Sequence, residues 1–225
     1  MRLLPVILLM FTLLPAVIPA RAGDATDKRP SWFVFLERGQ PAPADKAAVQ
    51  KMQMGHIQNF KRLFAEKKLF AAGPMQDPAQ QKRGMVVVKA KSHKQLLGYF
   101  DPDEYVRDGY LTVNARRCVV HKALNTENID PDGIEEVRIV QITRPTTKPG
   151  RRENKLTTAF LQSLVDQGVA GAWYTLEGGD VAEVLFCHSK DTKALEAAFE
   201  PCPILKTSSA RLLVWPQWLG KGVVK

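Results

Sequence analysis

SWFVFLERG (31–39), apolar from Trp32 to Leu36 and polar on either side, and GMVVVKAK (84–91), with its β-branched centre, both read as strands. Between them Met52, His56, Phe60, Leu63 and Phe64 recur at steps of four and three, while Lys61, Glu66, Lys67 and Lys68 take the other side. That spacing predicts an amphipathic helix over 46–68. LFAAGPM (69–75) predicts a short strand ending in a Gly-Pro turn, and DPAQQKRG (77–84) a polar loop. SHKQLLGYF (92–100) predicts a short helix opened by Ser92, and GYLTVNARRCVVHKAL (109–124) a closing strand. The order β-α-β-β-α-β is the split βαβ arrangement of ferredoxin-like units.

The pattern then returns. EEVRIVQITR (135–144) predicts a strand, ENKLTTAFLQSLVDQG (153–168) a helix, and VAGAWYTLEGGDVAEVLFCHS (169–189) a hairpin turning at Gly178-Gly179. KDTKALEAAFE (190–200) and SARLLVWPQWL (209–219) supply a further helix and a closing strand. Phe60 matches Phe160, Phe64 matches Leu164, Glu66 matches Asp166, and Ser92 matches Ser189. Phe100-Asp101-Pro102 likewise meets Phe199-Glu200-Pro201. The fold class expected is therefore α+β, with two tandem ferredoxin-like units forming a pseudo-dimeric α+β barrel. Residues 31–124 are the first unit, 125–136 a polar linker, and 137–225 a degenerate repeat.

The opening MRLLPVILLMFTLLPAVIPARAGD changes the setting. Arg2 gives a positive start, Leu3 to Ala20 are apolar apart from Thr12, and Ala20-Arg21-Ala22 has the small-x-small form of a cleavage site. Pro5, Pro15 and Pro19 interrupt the run, so a signal peptide over 1–22 is expected rather than a membrane anchor. Export, to the periplasm, follows. The full chain carries a net charge of +9. Removing the leader takes away Arg2 and Arg21, leaving +9 − 2 = +7. These charges are scattered rather than striped. They point to weak attraction for anionic surfaces or small anionic ligands and away from nucleic acid.

The three cysteines, Cys118, Cys187 and Cys202, form no CxxC pair and have no histidine at zinc spacing. Export permits a disulfide, but the nearest pair, Cys187 with Cys202, is separated by a predicted helix, so none is expected. No metal and no cofactor is called for. No later stretch is apolar and long enough to span a bilayer, and self-association remains open.

The first unit resembles YCII-related domains of the dimeric α+β barrel class. The resemblance rests on the helix with His56, the LFAAGPM segment, Arg83-Gly84, the strand MVVVKA and the DEYVRDGYL segment, and covers 32–124. It implies a His-Asp pair at the centre of an enzyme site. The histidine falls on His56. The aspartate of the family precedes a proline and an aromatic, with a glycine six residues after it. Counting back from Gly109 gives Asp103, which here is followed by Glu104 and Tyr105; Asp101-Pro102 keeps the dipeptide two residues early. Asp103 is the favoured partner and Asp101 the alternative.

The chemistry of such a pair is direct. A carboxylate bonded to one imidazole nitrogen fixes the tautomer and leaves the other nitrogen to move a proton. No GxSxG elbow is present. A small-molecule lyase, isomerase or hydrolase with His56 and Asp103 as acid–base residues is the first expectation. Arg83 and Tyr105 are the substrate-binding candidates. A non-catalytic envelope protein binding a small ligand in the same barrel is the second, and haem binding a minor third. His93 and His121 have no partner arguable from sequence. In the second unit Leu156 is matched to His56, so the pair is not repeated there.

Overall fold

The computed structural model describes residues 27–225, so the expected signal peptide lies outside the described residues. The first half contains β1 (Ser31–Arg38), α1 (Lys46–Ala65), β2 (Leu69–Pro74), β3 (Lys82–Lys89), α2 (His93–Gly98), α3 (Glu104–Arg107) and β4 (Leu111–Lys122). The second contains β5 (Asp130–Thr143), α4 (Arg151–Asp166), β6 (Ala172–Leu176), β7 (Val181–Cys187), α5 (Thr192–Phe199), α6 (Pro203–Thr207) and β8 (Leu212–Lys221). The protein is thus a mixed α+β fold with eight strands and six helices among the described residues. No described helix is long and apolar enough to cross a membrane.

The strands form one antiparallel sheet in the order β2-β3-β1-β4-β6-β7-β5-β8. Each half contributes four strands in the same internal order, and β4 joins β6 through pairs from Cys118↔Leu176 to Lys122↔Trp173. The two ends of the sheet nearly meet. Met75 bridges Gln217, and the Gln76 N–H donates to the Pro216 carbonyl at 2.9 Å. Gly73 permits that approach, because a Cβ there would lie 1.9 Å from the Trp218 carbonyl oxygen.

Strand alternation places side chains on two faces of the barrel. Inside, Phe33, Phe35, Met85 and Val87 of the first half pack with Val137, Ile139, Tyr174 and Phe186 of the second. Outside, Trp32, Val34, Val86 and Val88 pack under α1 and α2 with Leu63 and Leu96. Val140, Ile142, Leu185 and Trp173 do the same under α4 and α5 with Leu161, Leu164 and Phe199. Three cores therefore stack as helix layer, barrel interior and helix layer.

Several expectations change. The short helices α3 and α6 were not predicted. The strand β5 begins at Asp130, inside the segment expected as linker, because that stretch pairs with the end of β8. On α1 the buried residues are Met52, Asn59 and Leu63, whereas Phe64 is 47% exposed. Asn59 is buried because its Nδ2 donates to the Tyr99 carbonyl at 3.0 Å.

Candidate functional site

Helix α1 starts cleanly at Asp45, whose carboxylate accepts from the Ala47 N–H at 2.9 Å, and runs five turns over the outer face of the sheet. His56 lies midway along it. The chain then returns through α2 and tightens into α3, a single helical turn. Asp103 is the residue that starts this turn. Its Oδ1 accepts from the Tyr105 N–H at 3.1 Å, and its carbonyl accepts from Val106 and Arg107. Gly109 ends the turn with φ +79°, a left-handed conformation that favours glycine. Cap and exit together hold Asp103 against α1.

The second carboxylate oxygen, Oδ2, lies 2.5 Å from His56 Nδ1. The Asp103 side chain is fully buried, while 12% of the His56 side chain remains exposed. A carboxylate can only accept, so Nδ1 carries the proton in this contact and Nε2 is the nitrogen left for exchange. The imidazole is further fixed by Phe60, with ring centres 4.2 Å apart, and by Tyr105, edge-on at 5.6 Å. Burial pushes the Tyr105 phenol above its ordinary value, with the Asp103 charge adding to the effect. Its hydroxyl donates to the Val49 carbonyl on α1 at 3.3 Å. Tyr105 is thus a wall of the pair with its own polar atom already used.

The other candidates fall elsewhere. Asp101 is exposed on the α2–α3 turn, so Asp103 is the aspartate in contact with His56. Arg83 is exposed on β3 at a bulge, where Leu36 pairs with Gly84 and Glu37 with Lys82. Skipping Arg83 turns Lys82 toward the barrel mouth. There its ammonium sits 4.9 Å from the Phe35 ring centre and bonds Asp180 at 2.6 Å. Partial burial works against the charge on Asp180, yet the Lys82 bond holds its carboxyl below the usual range. Nothing local in the sequence marks Lys82, because its partner is 98 positions away.

Sequence reasoning also missed Asn59 and Arg62. Both donate to the Tyr99 carbonyl, at 3.0 and 3.3 Å, and Arg62 bonds Asn59 Oδ1 at 2.7 Å. These bonds tie α1 to the start of the segment that carries Asp103. The one available signal was an Asn three positions after His56 on the same helical face.

The second half has the same frame with other residues in it. The Lys68 N–H donates to Leu63, and Val169 to Leu164, both at 2.9 Å. Counting back seven residues from each gives His56 and Thr157. The match to Leu156 is therefore corrected: Leu156 is 49% exposed, and Thr157 is the buried residue, its hydroxyl without a hydrogen bond. Likewise Asp103 donates its N–H to Phe100, and Cys202 to Phe199, both at 2.9 Å. Cys202 precedes α6 as Asp103 precedes α3, but makes no side-chain cap. All three cysteines are free. Burial pushes the Cys202 thiol up to about 11 and that of Cys187 up to about 12.

No protein-family model matches the chain, and no curated protein does. Solved structures do. A candidate monooxygenase of Fusobacterium nucleatum superposes with a TM-score of 0.53 at 9% identity, over 88% of this chain and 96% of its own. A candidate monooxygenase of Lactobacillus acidophilus gives 0.53 at 10% identity, over 88% of this chain and 99% of its own. A haem-binding protein of Thermus thermophilus gives 0.48 at 13% identity, over 85% and 91%. At these identities the likeness is one of fold, an α+β barrel.

Proposed function

We propose that this chain is an exported YCII-like protein that binds a small molecule beside His56 and acts on it by acid–base catalysis. The observation that carries the proposal is the contact of His56 Nδ1 with Asp103 Oδ2 at 2.5 Å, made by a fully buried carboxylate and a partly exposed imidazole. The element order and the shared strand order favour two tandem ferredoxin-like units, a single-chain equivalent of a dimeric α+β barrel. In that reading the second unit is the degenerate copy and supplies the wall a partner would otherwise give.

The roles follow from the geometry. Asp103 holds the Nδ1–H tautomer and stabilises the imidazolium that forms when Nε2 takes a proton from the ligand. Phe60 and Tyr105 keep the ring from rotating away. Returning the proton to another atom of the ligand gives an isomerase or lyase, and passing it from water gives a hydrolase. Arg83, on a separate element, serves only a ligand long enough to reach the β3 bulge.

The test is nitrogen-15 NMR of the histidine ring across pH, in the wild type, Asp103→Asn and Asp101→Asn. The Nδ1–H tautomer of neutral His56 is expected in the wild type and in Asp101→Asn, and its loss in Asp103→Asn. An Nε2–H tautomer in the wild type overturns the pair. A lyase, isomerase or hydrolase substrate found by screening should then lose about 10²–10⁴-fold in rate with His56→Gln. Binding of that substrate without turnover would give the site to a ligand-binding protein instead.

A further inference from the structure

A second titratable cluster lies at the β4–β6 seam, outside the site already described. Trp173 and Thr175 of β6 and Glu183 of β7 share the outer face, with Thr175 paired directly to Glu183. The β4 pairing slips between Val120 and Lys122, so His121 is the extra residue of a bulge. Its ring lies flat on Trp173, with centres 3.7 Å apart at 15°. His121 Nε2 is 2.8 Å from Thr175 Oγ1. The Thr175 hydroxyl donates to Glu183 Oε2 at 2.7 Å, and Trp173 Nε1 donates to the same oxygen at 2.8 Å.

The hydrogen atoms can be assigned by counting. Thr175 has one hydroxyl proton, and the acceptor-only carboxylate of Glu183 takes it. His121 must then donate Nε2–H to Thr175, which fixes its neutral tautomer and leaves Nδ1 as the exchanging atom. His121 itself is exposed, while Trp173 beneath it is buried.

We infer that His121, Thr175 and Glu183 form a second acid–base centre, a hydroxyl-bridged relay that moves protons between a buried carboxylate and water or a small weak acid at the surface. A proton arriving at His121 Nδ1 gives an imidazolium. Nε2 passes its proton to Thr175 Oγ1 as the hydroxyl proton passes to Glu183 Oε2. The products are a neutral imidazole protonated at Nδ1, an intact hydroxyl and a neutral carboxylic acid, with one proton taken up in all. The reverse sequence delivers it.

The surroundings support such a transfer. Burial lowers the His121 value and raises that of Glu183, so the two ends shift toward each other, which favours exchange of a proton between them. The Thr175 and Trp173 bonds and the charge of Arg144, at the end of β5, oppose the rise at Glu183. The thiol of Cys202, just before α6, also senses the Glu183 charge. Lys122 follows His121 on β4. The relay uses one residue from the first half and two from the second, so it exists only while the seam is closed.

NMR titration of the histidine rings in the full chain tests it, with wild type, Thr175→Val, Thr175→Ser and Glu183→Gln compared. Wild type should show His121 as the Nε2–H tautomer with two inflections, one its own and one from Glu183. Glu183→Gln should remove the second inflection. Thr175→Val should remove it and release the tautomer, while Thr175→Ser restores both. A single His121 inflection that none of the variants moves, or an Nδ1–H tautomer in wild type, overturns the relay. Because Thr175→Ser keeps the hydroxyl, loss of the signal through misfolding is distinguished from loss of the bridge.

Discussion

At the ends of α1 and α4 the chain turns by the same backbone bond, and before α3 and α6 it turns by the same bond again. Within those matched frames the first half places His56 and Asp103, and the second places Thr157 and Cys202. The backbone is indifferent to this exchange. What differs is how the buried groups are satisfied. Asp103 uses both oxygens, on the Tyr105 N–H and on His56, whereas the Thr157 hydroxyl has no partner and Cys202 caps nothing. The second half thus closes the same frame without a polar pair at these two positions.

The comparison breaks most sharply at the aspartate. Asp103→Ala removes a helix cap and leaves a buried imidazole nitrogen without its partner, for an expected loss of about 2–4 kcal/mol in chemical denaturation. Cys202→Ala removes only a buried sulfur and is expected to cost about 1 kcal/mol. Equal losses would mean that the cap and the His56 contact add nothing to stability beyond the buried volume. Thr157→Val fills the same space without the unbonded hydroxyl, and thermal melts should show it neutral or stabilising by up to about 1 kcal/mol. A clear destabilisation would reveal a partner for that hydroxyl.

The smallest effect concerns acid. The Arg29 bond holds Asp27 down to about 2, with burial opposing it. Because the folded value is depressed, the stability it adds is present above the ordinary carboxylate range and is lost as pH falls toward 2. Asp27→Asn should flatten that part of the acid-unfolding curve only slightly, since the group sits near the surface.

Much of the scaffold was legible because strands and long helices carry strong periods. The strand MVVVKA and the α4 stripe needed no tertiary knowledge. Asp103 was reached through the family resemblance, by its spacing from Gly109, and in the structure that spacing spans a cap, one helical turn and a glycine at positive φ. Leu63 and Phe64 were not separable, since both fit an i+3/i+4 stripe and only the packing above the sheet chooses between them. The same ambiguity displaced the match in the second half by one residue, from Thr157 to Leu156. Lys82 and His121 were hidden because each is turned by a bulge, and a bulge is a property of pairing rather than of local sequence.

The two seams of the barrel also differ. β4 and β6 share a ladder from Cys118 to Lys122, while β2 and β8 meet through one bridge and one further backbone bond beside Gly73. In mechanical terms the molecule is bound like a book. Its spine is β4–β6, and its fore-edge is the line from Met75 to Gln217. Any force that parts the two halves finds least resistance at the fore-edge, and the spine then acts as the hinge. Because the hinge strands themselves carry His121 and Thr175, a slight opening would leave the relay across the spine intact.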